Sequence, residues 1–359
     1  MIFLYNHLKM HPIQKREPVS IIFYDFSYQN EWNSYILESP HSVFAHHLGW
    51  KNVIEETYKH RSFYLMGYRD NKVVGILPLF LIKSLLFGNC MVTSPFLTFG
   101  GIVSDDETVT TALIDKAIEI AHKQKVNYIE IRNEKQTGYL PHTKSIYYTL
   151  LLDLSSGIDT LWNSSLHSST RRNILKAYQS GLVIEEGHDH LKHFVDINAQ
   201  NMHRLGTPSH CYHFFYNILK HFPQSTLIMV RSEHTYIGGM LLVYYKDTVL
   251  MPWVASLQSY FHLKPNNLLY WEAITRAVKK GYRYFDFGRS KWDSGTFRFK
   301  SQFGAKPVQI HYQYYLNTVQ KVPDLDPENP VFRTLISIWK KLPLSVTKLI
   351  GHRIIRYIP

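Results

Sequence analysis

The sequence predicts a mixed α/β protein that contains one structural module twice, followed by a helical C-terminal tail. Three observations support this fold class: the length of the chain, a repeated helix–strand segment, and a β-hairpin signal before each copy of that segment. A chain of 359 residues exceeds the size at which a single hydrophobic core usually stops growing. We therefore expect two domains of about 150 residues each.

The repeated segment aligns residues 116–132 with residues 272–288 without a gap. Tyr128 corresponds to Tyr284, and Glu130 stands where Asp286 does. In both copies the apolar residues first recur at helical spacing and then alternate with a period of two. Each copy is therefore predicted to be a helix followed by a strand.

A hairpin signal lies before each copy. Two apolar runs flank residues 69–72, and two more flank residues 232–234. The apolar stretch Val73–Ile82 is about half as long as a membrane span, so we expect it to be a buried strand. The predicted module is a strand, a hairpin, two further strands, a helix and a strand, which is a mixed sheet and not a strict βαβ alternation.

Helices are predicted between the two modules. The first begins at the candidate N-caps Ser168, Ser169 and Thr170 and ends at Gly181. Two more are expected over residues 193–204 and over residues 211–222.

The tail after Pro330 is apolar and basic and contains no acidic residue. We expect one or two short amphipathic helices there, broken near Pro343. Such a tail suits either an anionic membrane surface or packing against its own domain, and the sequence leaves both open.

Composition narrows the class of protein. The formal charge of +12 implies attraction to phosphate groups, in a nucleotide-linked substrate, an RNA or an anionic membrane. The two cysteines, Cys90 and Cys211, form neither a disulfide framework nor a zinc-binding pair, which favours a reducing cytosol. The N-terminal residues lack the pattern of a signal peptide, so export is not expected.

The segment "GYRYFDFGRS" contains a candidate catalytic carboxylate. Strand alternation puts Asp286 on one face with Tyr282 and Tyr284, close to the end of a strand. A carboxylate among aromatic rings has a raised pKa and can act as a general base. It can equally be a structural partner for a backbone N–H or an Arg, and the residue type alone does not decide.

After Gly288 we predict a loop that folds over an anionic or carbonyl-bearing ligand. Gly288 and Gly295 permit sharp turns, and three aromatic side chains anchor the segment. If this segment is extended, Arg298 and Lys300 point the same way. The hydrogen-bond donors of the loop are Arg289, Ser290, Lys291, Arg298 and Lys300, and its aromatic anchors are Phe297, Phe299 and Phe303.

A basic helix forms a second candidate site. Arg172 and Lys176 share a helical face, with Arg171 beside them near the helix N-terminus. This arrangement suits either phosphate binding or an ordinary solvated face. No metal site is predicted at His188, His190 and His193, because no Cys or properly spaced carboxylate completes the set. The chain also lacks the phosphate-binding loop, the serine-hydrolase motif and the dinucleotide-binding glycine motif.

With these segments the chain resembles the FemAB-type acyltransferases. It is most similar to the FemAB-like proteins associated with exosortase (PEP-CTERM) and exopolysaccharide loci. The matching blocks include "STRRNILKAYQSGL", "NNLLYWEAITRAVKKGYRYFDFGRSK" and "GTFRFKSQFGAKPVQIHYQYYL". Together with other blocks they cover nearly all of the chain from about residue 40 onward.

The resemblance implies two tandem GNAT-like domains, over residues 1–155 and 156–322, and a basic amphipathic tail over residues 323–359. It implies transfer of an acyl or aminoacyl group to an amine in peptidoglycan or exopolysaccharide biosynthesis. The protein is expected to be cytoplasmic, either free or peripheral to the inner membrane. Its partners would be a nucleotide- or lipid-linked envelope precursor and aminoacyl-tRNA.

The resemblance places the active site in the second domain and implies roles there for Lys300, Arg171, Arg172 and Lys176, and the residue patterns add the other candidates. Lys300 and Asp286 would be catalytic. Asn266 and Asn267 would bind the donor by capping the helix that faces it. The substrate-binding residues would be Arg171, Arg172, Lys176, Arg289, Ser290 and Arg298.

No metal or tightly bound cofactor is expected, and the acyl donor is either aminoacyl-tRNA or acyl-CoA. A conventional GNAT domain carries a Q/R-x-x-G-x-G/A loop for the CoA pyrophosphate, but this chain has "HLKPNNLLYW" (residues 262–271) there. That difference weighs against CoA. The alternative hypothesis is a catalytically inactive GNAT-fold protein that binds RNA or a membrane surface in an envelope assembly.

Overall fold

A computed structural model of the chain describes residues 17–84, 88–324 and 329–359. The strands are β1 Ser20–Phe23, β2 Arg61–Arg69, β3 Lys72–Ser84, β4 Gly88–Val92, β5 Val103–Ser104, β6 Tyr128–Asn133, β7 His142–Asp153, β8 Val183–Glu186, β9 Thr226–Ser232, β10 Thr235–Tyr245, β11 Thr248–Ser256, β12 Tyr284–Lys291 and β13 Lys306–Leu316. The α-helices are α1 Gln29–Glu38, α2 Leu48–Tyr58, α3 Glu107–Gln124, α4 Gly157–Thr160, α5 Ser168–Gln179, α6 Leu191–Leu205, α7 Tyr212–His221, α8 Pro265–Lys279, α9 Gly295–Ser301, α10 Pro330–Lys341 and α11 Leu344–Ile355.

One 13-stranded sheet runs through the molecule in the order β1-β2-β3-β4-β6-β13-β7-β12-β11-β10-β9-β8, with β5 paired to β3. The pairs β4–β6 and β11–β12 are parallel. Each half contains the same series of elements along the chain: a strand, two helices, a hairpin, a strand, a helix and a strand. The strands of the two halves also occupy corresponding places, counted inward from opposite edges of the sheet. The predicted fold class, with a duplicated module and mixed sheets, is therefore confirmed.

The two halves exchange their last strands. Strand β7 follows β6 along the chain, yet it pairs with β12 of the second half. Strand β13 follows β12, yet it pairs with β6 of the first half, and β7 and β13 also pair with each other. The predicted domain limits at residues 155 and 322 stay a prediction, and backbone hydrogen bonds cross the first of them.

Apolar side chains of both halves form one shared core on one face of the sheet. Helices α1 and α2 of the first half and α6 and α7 of the second pack there against β2, β3 and β9–β11. Helix α3 covers the opposite face of the first half, and α5 and α8 cover that of the second half. Within the described residues, no helix has the length and apolar content needed to cross a bilayer.

The predicted local elements are found with small differences. The hairpins turn at Asp70–Asn71 and at Glu233, where left-handed backbone angles reverse the chain. Helix α5 has its N-cap at His167, one residue before the predicted caps, because the imidazole accepts the N–H of Ser169. The first half has two strands, β4 and β5, between hairpin and helix, whereas the second half has only β11. Sequence patterns did not reveal α1 or α2.

Strand β12 contains a β-bulge that shapes the centre of the molecule. Asp286 lies opposite Leu151 of β7, but the next paired residue, Arg289, lies opposite Thr149. Between these two pairs β12 advances by three residues and β7 by only two, so β12 contains one extra residue. Gly288 accommodates it with a left-handed φ of +69°. The bulge brings Asp286 and Arg289 to the same face of the sheet.

We predict that Gly288→Ala lowers the free energy of unfolding by about 1 kcal/mol, because a Cβ disfavours the left-handed region. A Cβ at Gly288 would lie 3.8 Å from Thr98 Oγ1, so a steric clash does not contribute to the loss of stability. Gly281→Ala is the matched control, because Gly281 has φ +79° and a Cβ added there would have no neighbouring atom within 4 Å. Chemical denaturation of both variants should give similar losses, and a neutral Gly288→Ala would contradict the bulge.

Candidate active site

Each half contains a parallel strand pair that separates after a short ladder. In the second half, Thr248–Leu250 of β11 pair with Tyr284–Asp286 of β12. In the first half, Cys90–Val92 of β4 pair with Tyr128–Glu130 of β6. Beyond these residues the strands share no further ladder pair, so each half has a gap in its sheet.

The gap of the first half is closed by the loop over residues 93–101. Thr93 N–H donates to the Glu130 carbonyl and Gly100 N–H donates to the Arg132 carbonyl, both at 3.1 Å. The Arg132 guanidinium donates to two carbonyls of the same loop and forms a buried ion pair with Glu130 at 2.7 Å. The first gap is therefore filled by protein.

The gap of the second half is not closed in this way. Within the described part of the chain, no backbone hydrogen bond joins residues 251–256 to residues 287–291. Helix α8 begins at Pro265, and Asn266 in its first turn accepts a hydrogen bond from Ser256 at the end of β11. Of the two copies, the second one has no such backbone bridge between its diverging strands in the described structure.

Asp286 is the last residue of β12 that pairs with β11, and it is buried. Its Oδ1 accepts the hydroxyl hydrogen of Thr149 and, at 2.8 Å, the N–H of Gly288. Thr149 belongs to β7, so the exchanged strand supplies this partner from the first half. The carboxylate holds the backbone of the bulge, which is the structural role that the sequence left open.

Lys300 lies beside the bulge on α9. Its buried Nζ donates to the carbonyls of Gly288 and Arg289, at 2.9 and 3.0 Å. An ammonium group has three N–H bonds, so one remains for a ligand or for Asp286. Burial lowers the pKa of Lys300 to about 8, although the negative charge of Asp286 raises it. Burial raises the pKa of Asp286, whereas its two hydrogen bonds and the positive charge of Lys300 lower it.

The prediction of a loop after Gly288 is wrong. Strand β12 continues to Lys291, and residues 295–301 form α9, because the Ser294 hydroxyl caps the helix by accepting the N–H of Phe297. Arg298 and Lys300 consequently point in different directions. The Arg298 side chain is 66% exposed and lies 3.8 Å from Asp293, so it does not join Lys300.

Arg289 is the exposed cation of the site. Its Nη1 donates to the Tyr312 hydroxyl at 2.8 Å, and its guanidinium carbon lies 4.6 Å from the ring centre of Tyr147. The Tyr312 phenol raises the pKa of Arg289. No carboxylate of the described residues forms an ion pair with it. The guanidinium is held in place while its charge stays available.

Other predicted residues lie further from this centre. Alternation puts Ser290 on the opposite face of β12, where its buried hydroxyl has no hydrogen-bond partner in the described structure. Arg171 donates to the carbonyls of residues 162, 163 and 166, so it stabilises the turn before α5. Arg172 and Lys176 are exposed on α5. An open groove of about 480 Å³ runs from residues 163–168 and Arg171 to residues 301–302, next to Lys300 along the chain.

The capping role predicted for Asn266 and Asn267 is wrong. Both lie inside the first turn of α8, whose N-cap is Lys264 without a side-chain capping bond. Residues 240–280 contain no glycine, and Pro265 removes one of the N–H groups that would face an anion. This helix N-terminus therefore does not fit a CoA pyrophosphate. Among the described residues, no three His, Cys, Asp or Glu side chains are grouped to hold a metal.

Sequence reasoning missed Thr149, Tyr147 and Tyr312. All three lie on the exchanged strands β7 and β13, which bring them to Asp286 and Arg289. No local signal in "SIYYTLLL" or "IHYQYYL" indicates which strands these segments pair with.

We predict that Asp286→Asn lowers the pKa of Lys300 below about 8, because it removes the negative charge that favours the ammonium. NMR titration of the labelled lysine side chain measures this value. Asp293→Asn, which removes an exposed carboxylate on the nearby turn, is the control and should leave the Lys300 pKa unchanged. A Lys300 pKa near 10.5 in the unmodified protein would contradict the burial of its charge.

Residues 164–301 match the family model of the acetyltransferase (GNAT) domain. A comparison with curated proteins gives no significant match. Among solved structures, a crystal structure of FemX has a TM-score of 0.67 at 15% identity and covers 88% of this chain and 100% of its own.

Two further structures share the architecture. A tandem GNAT protein from the clavulanic acid biosynthesis pathway has a TM-score of 0.54 at 10% identity, covering 82% of this chain and 97% of its own. L-PGS from Bacillus licheniformis has a TM-score of 0.54 at 13% identity, covering 90% of this chain and 96% of its own. With the family match over its second half, this protein has a FemAB-like fold of the GNAT acyltransferase type.

Proposed function

We propose that the protein transfers an acyl or aminoacyl group from an activated ester or thioester to an amine, where β11 and β12 diverge. One observation carries this proposal: the same module occurs twice, and in the second copy no backbone hydrogen bond of the described residues bridges the strands beyond Asp286, near Lys300. A buried cation beside diverging strands suits a site where negative charge develops.

In the proposed reaction the amine nitrogen attacks the carbonyl carbon of the donor. The carbonyl oxygen becomes an oxyanion, which the remaining N–H of Lys300 stabilises. The C–O or C–S bond of the donor then breaks, and the leaving oxygen or sulfur takes the proton that the amine loses. Asp286 orients Gly288 and balances the Lys300 charge, and its raised pKa also suits it to accept that proton.

The donor best supported by the site is an aminoacyl ester such as aminoacyl-tRNA. The N-terminus of α8 lacks the glycines and one N–H group needed for a CoA pyrophosphate. The exposed basic residues of α5, Arg172 and Lys176, are available to the phosphates of a nucleotide-linked donor or acceptor. The shared fold with FemX and L-PGS supports an acceptor from envelope synthesis, a peptidoglycan, lipid or exopolysaccharide precursor, on the cytoplasmic side of the membrane.

We further propose that Arg289 binds an anionic group of the acceptor. Arg289 is exposed as a residue, its guanidinium is oriented by Tyr312 and Tyr147, and it has no ion-pair partner among the described residues. A carboxylate or phosphate near the attacking amine would complete its hydrogen bonds.

The first test is an acyl-transfer assay with purified protein, aminoacyl-tRNA and acyl-CoA donors, and amine acceptors. Lys300→Ala should lower kcat by about 100-fold or more, because it removes the oxyanion donor. Lys279→Ala, an exposed lysine on α8, is the matched control. Full activity of Lys300→Ala would refute its role. Salt-dependent RNA binding without turnover on any amine would favour the non-catalytic alternative.

The pH dependence tests the charge of Lys300 separately. Its pKa of about 8 means that the ammonium is present below that value and lost above it. We expect kcat to fall as the pH rises through about 8. In Lys300→Arg, whose guanidinium stays charged to about pH 12, this falling limb should move out of the measured range. A limb that stays near pH 8 in Lys300→Arg would assign it to another group.

Arg289→Gln should raise KM for an acidic acceptor about tenfold or more, with a smaller effect on kcat, because an exposed binding charge is removed. The same variant should have little effect on the corresponding amide acceptor. Arg283→Gln, an exposed Arg just before β12, is the control. Equal effects on acidic and amidated acceptors would contradict the anion-binding role.

A further inference from the structure

The C-terminal helices α10 and α11 present an outward face that is apolar and basic. This face, here called the tail surface, has apolar side chains that no other part of the described structure covers. Their exposed fractions are 50% for Leu335, 53% for Ile338, 38% for Val346, 64% for Leu349 and 38% for Tyr357.

The tail surface is held on the folded protein by contacts on its other side. Trp339 and Ile355 are buried. The His203 imidazole donates to the Leu342 carbonyl at 3.0 Å, and Arg356 donates to the Tyr58 carbonyl at 2.5 Å. The tail therefore packs against its own molecule and still keeps an apolar face outside, so the two possibilities left open by the sequence are compatible.

The charged residues of the C-terminal helices are all basic. Residues 329–359 contain six Lys or Arg residues and no Asp or Glu. Arg333, Lys340, Lys341 and Arg353 are exposed beside the apolar side chains. The apolar area also extends onto α6, where Leu205 is 46% exposed, and Gly206 lies against Ile336 of α10.

We propose that the tail surface docks on an anionic lipid bilayer. An anionic bilayer can bind both kinds of side chain on the tail surface. The apolar side chains enter the boundary of the acyl chains, and the Lys and Arg side chains contact lipid phosphates. A second copy of this chain would bring two basic surfaces together and be repelled. An RNA would use the cations but would leave the exposed Leu and Ile side chains in water. This proposal does not depend on the proposed reaction.

The test is co-sedimentation of the full chain with vesicles of phosphatidylcholine containing about one third phosphatidylglycerol, against pure phosphatidylcholine vesicles. We expect binding to the anionic vesicles that weakens, without vanishing, between about 0.1 M and about 1 M salt. The triple variant Leu335→Ser, Ile338→Ser and Leu349→Ser should bind more weakly by about tenfold or more, although its charge is unchanged. The matched control is Phe26→Ser, Leu37→Ser and Val183→Ser, which removes exposed apolar side chains elsewhere.

A second measurement does not depend on the folding of the triple variant. A fluorophore sensitive to polarity is attached at Leu349→Cys, in a Cys211→Ser background, and should shift to the blue with anionic vesicles. The same fluorophore at Leu37→Cys should not shift. Equal binding by the triple variant and its control, binding to polyuridylate without binding to vesicles, or no shift at position 349 would each overturn the proposal.

Discussion

The hydrogen-bonded ladders of β7 with β12 and of β13 with β6 hold the centre of this molecule together. Each half contributes a strand that the other half needs, so neither central sheet is complete within its own sequence. The same ladders bring Thr149 to Asp286 and Tyr312 to Arg289. A site formed in this way depends on both halves, even though its charged residues come from the second.

The duplication allows the two copies to be compared position by position. Glu130 and Asp286 hold equivalent positions on equivalent strands, but their partners differ. Glu130 forms a buried ion pair with Arg132, which in turn fastens the loop that fills the first gap. Asp286 instead fixes a backbone bulge whose carbonyls receive Lys300. One copy has its charges neutralised within the protein, and the other keeps a cation with a remaining hydrogen-bond donor beside the diverging strands.

Local patterns in the sequence predicted what depends on neighbours along the chain. The match of Tyr128 with Tyr284, and the change of period after each helix, revealed the duplicated module because a helix–strand unit has its own periodicity. They could not reveal the strand exchange, because alternation defines the two faces of β7 and β13 but not their partners. The bulge at Gly288 brings Arg289 to the face of Asp286, which simple alternation does not predict, and the cap at Ser294 made a helix where an extended segment was considered. For these reasons the sequence suggested Lys300 and Asp286 as candidates but did not suggest Thr149, Tyr147 or Tyr312.

The central claim is that one acyl-donor site exists per chain and lies between β11 and β12. Photo-crosslinking tests it directly, with aminoacyl-adenosine and acyl-CoA analogues that carry a photoreactive acyl group, followed by peptide mapping. We expect saturable labelling within residues 251–256 and 286–301 and none at the gap of β4 and β6 that the loop bridges. Labelling of residues 90–101 or 128–133, or labelling of both gaps, would contradict it.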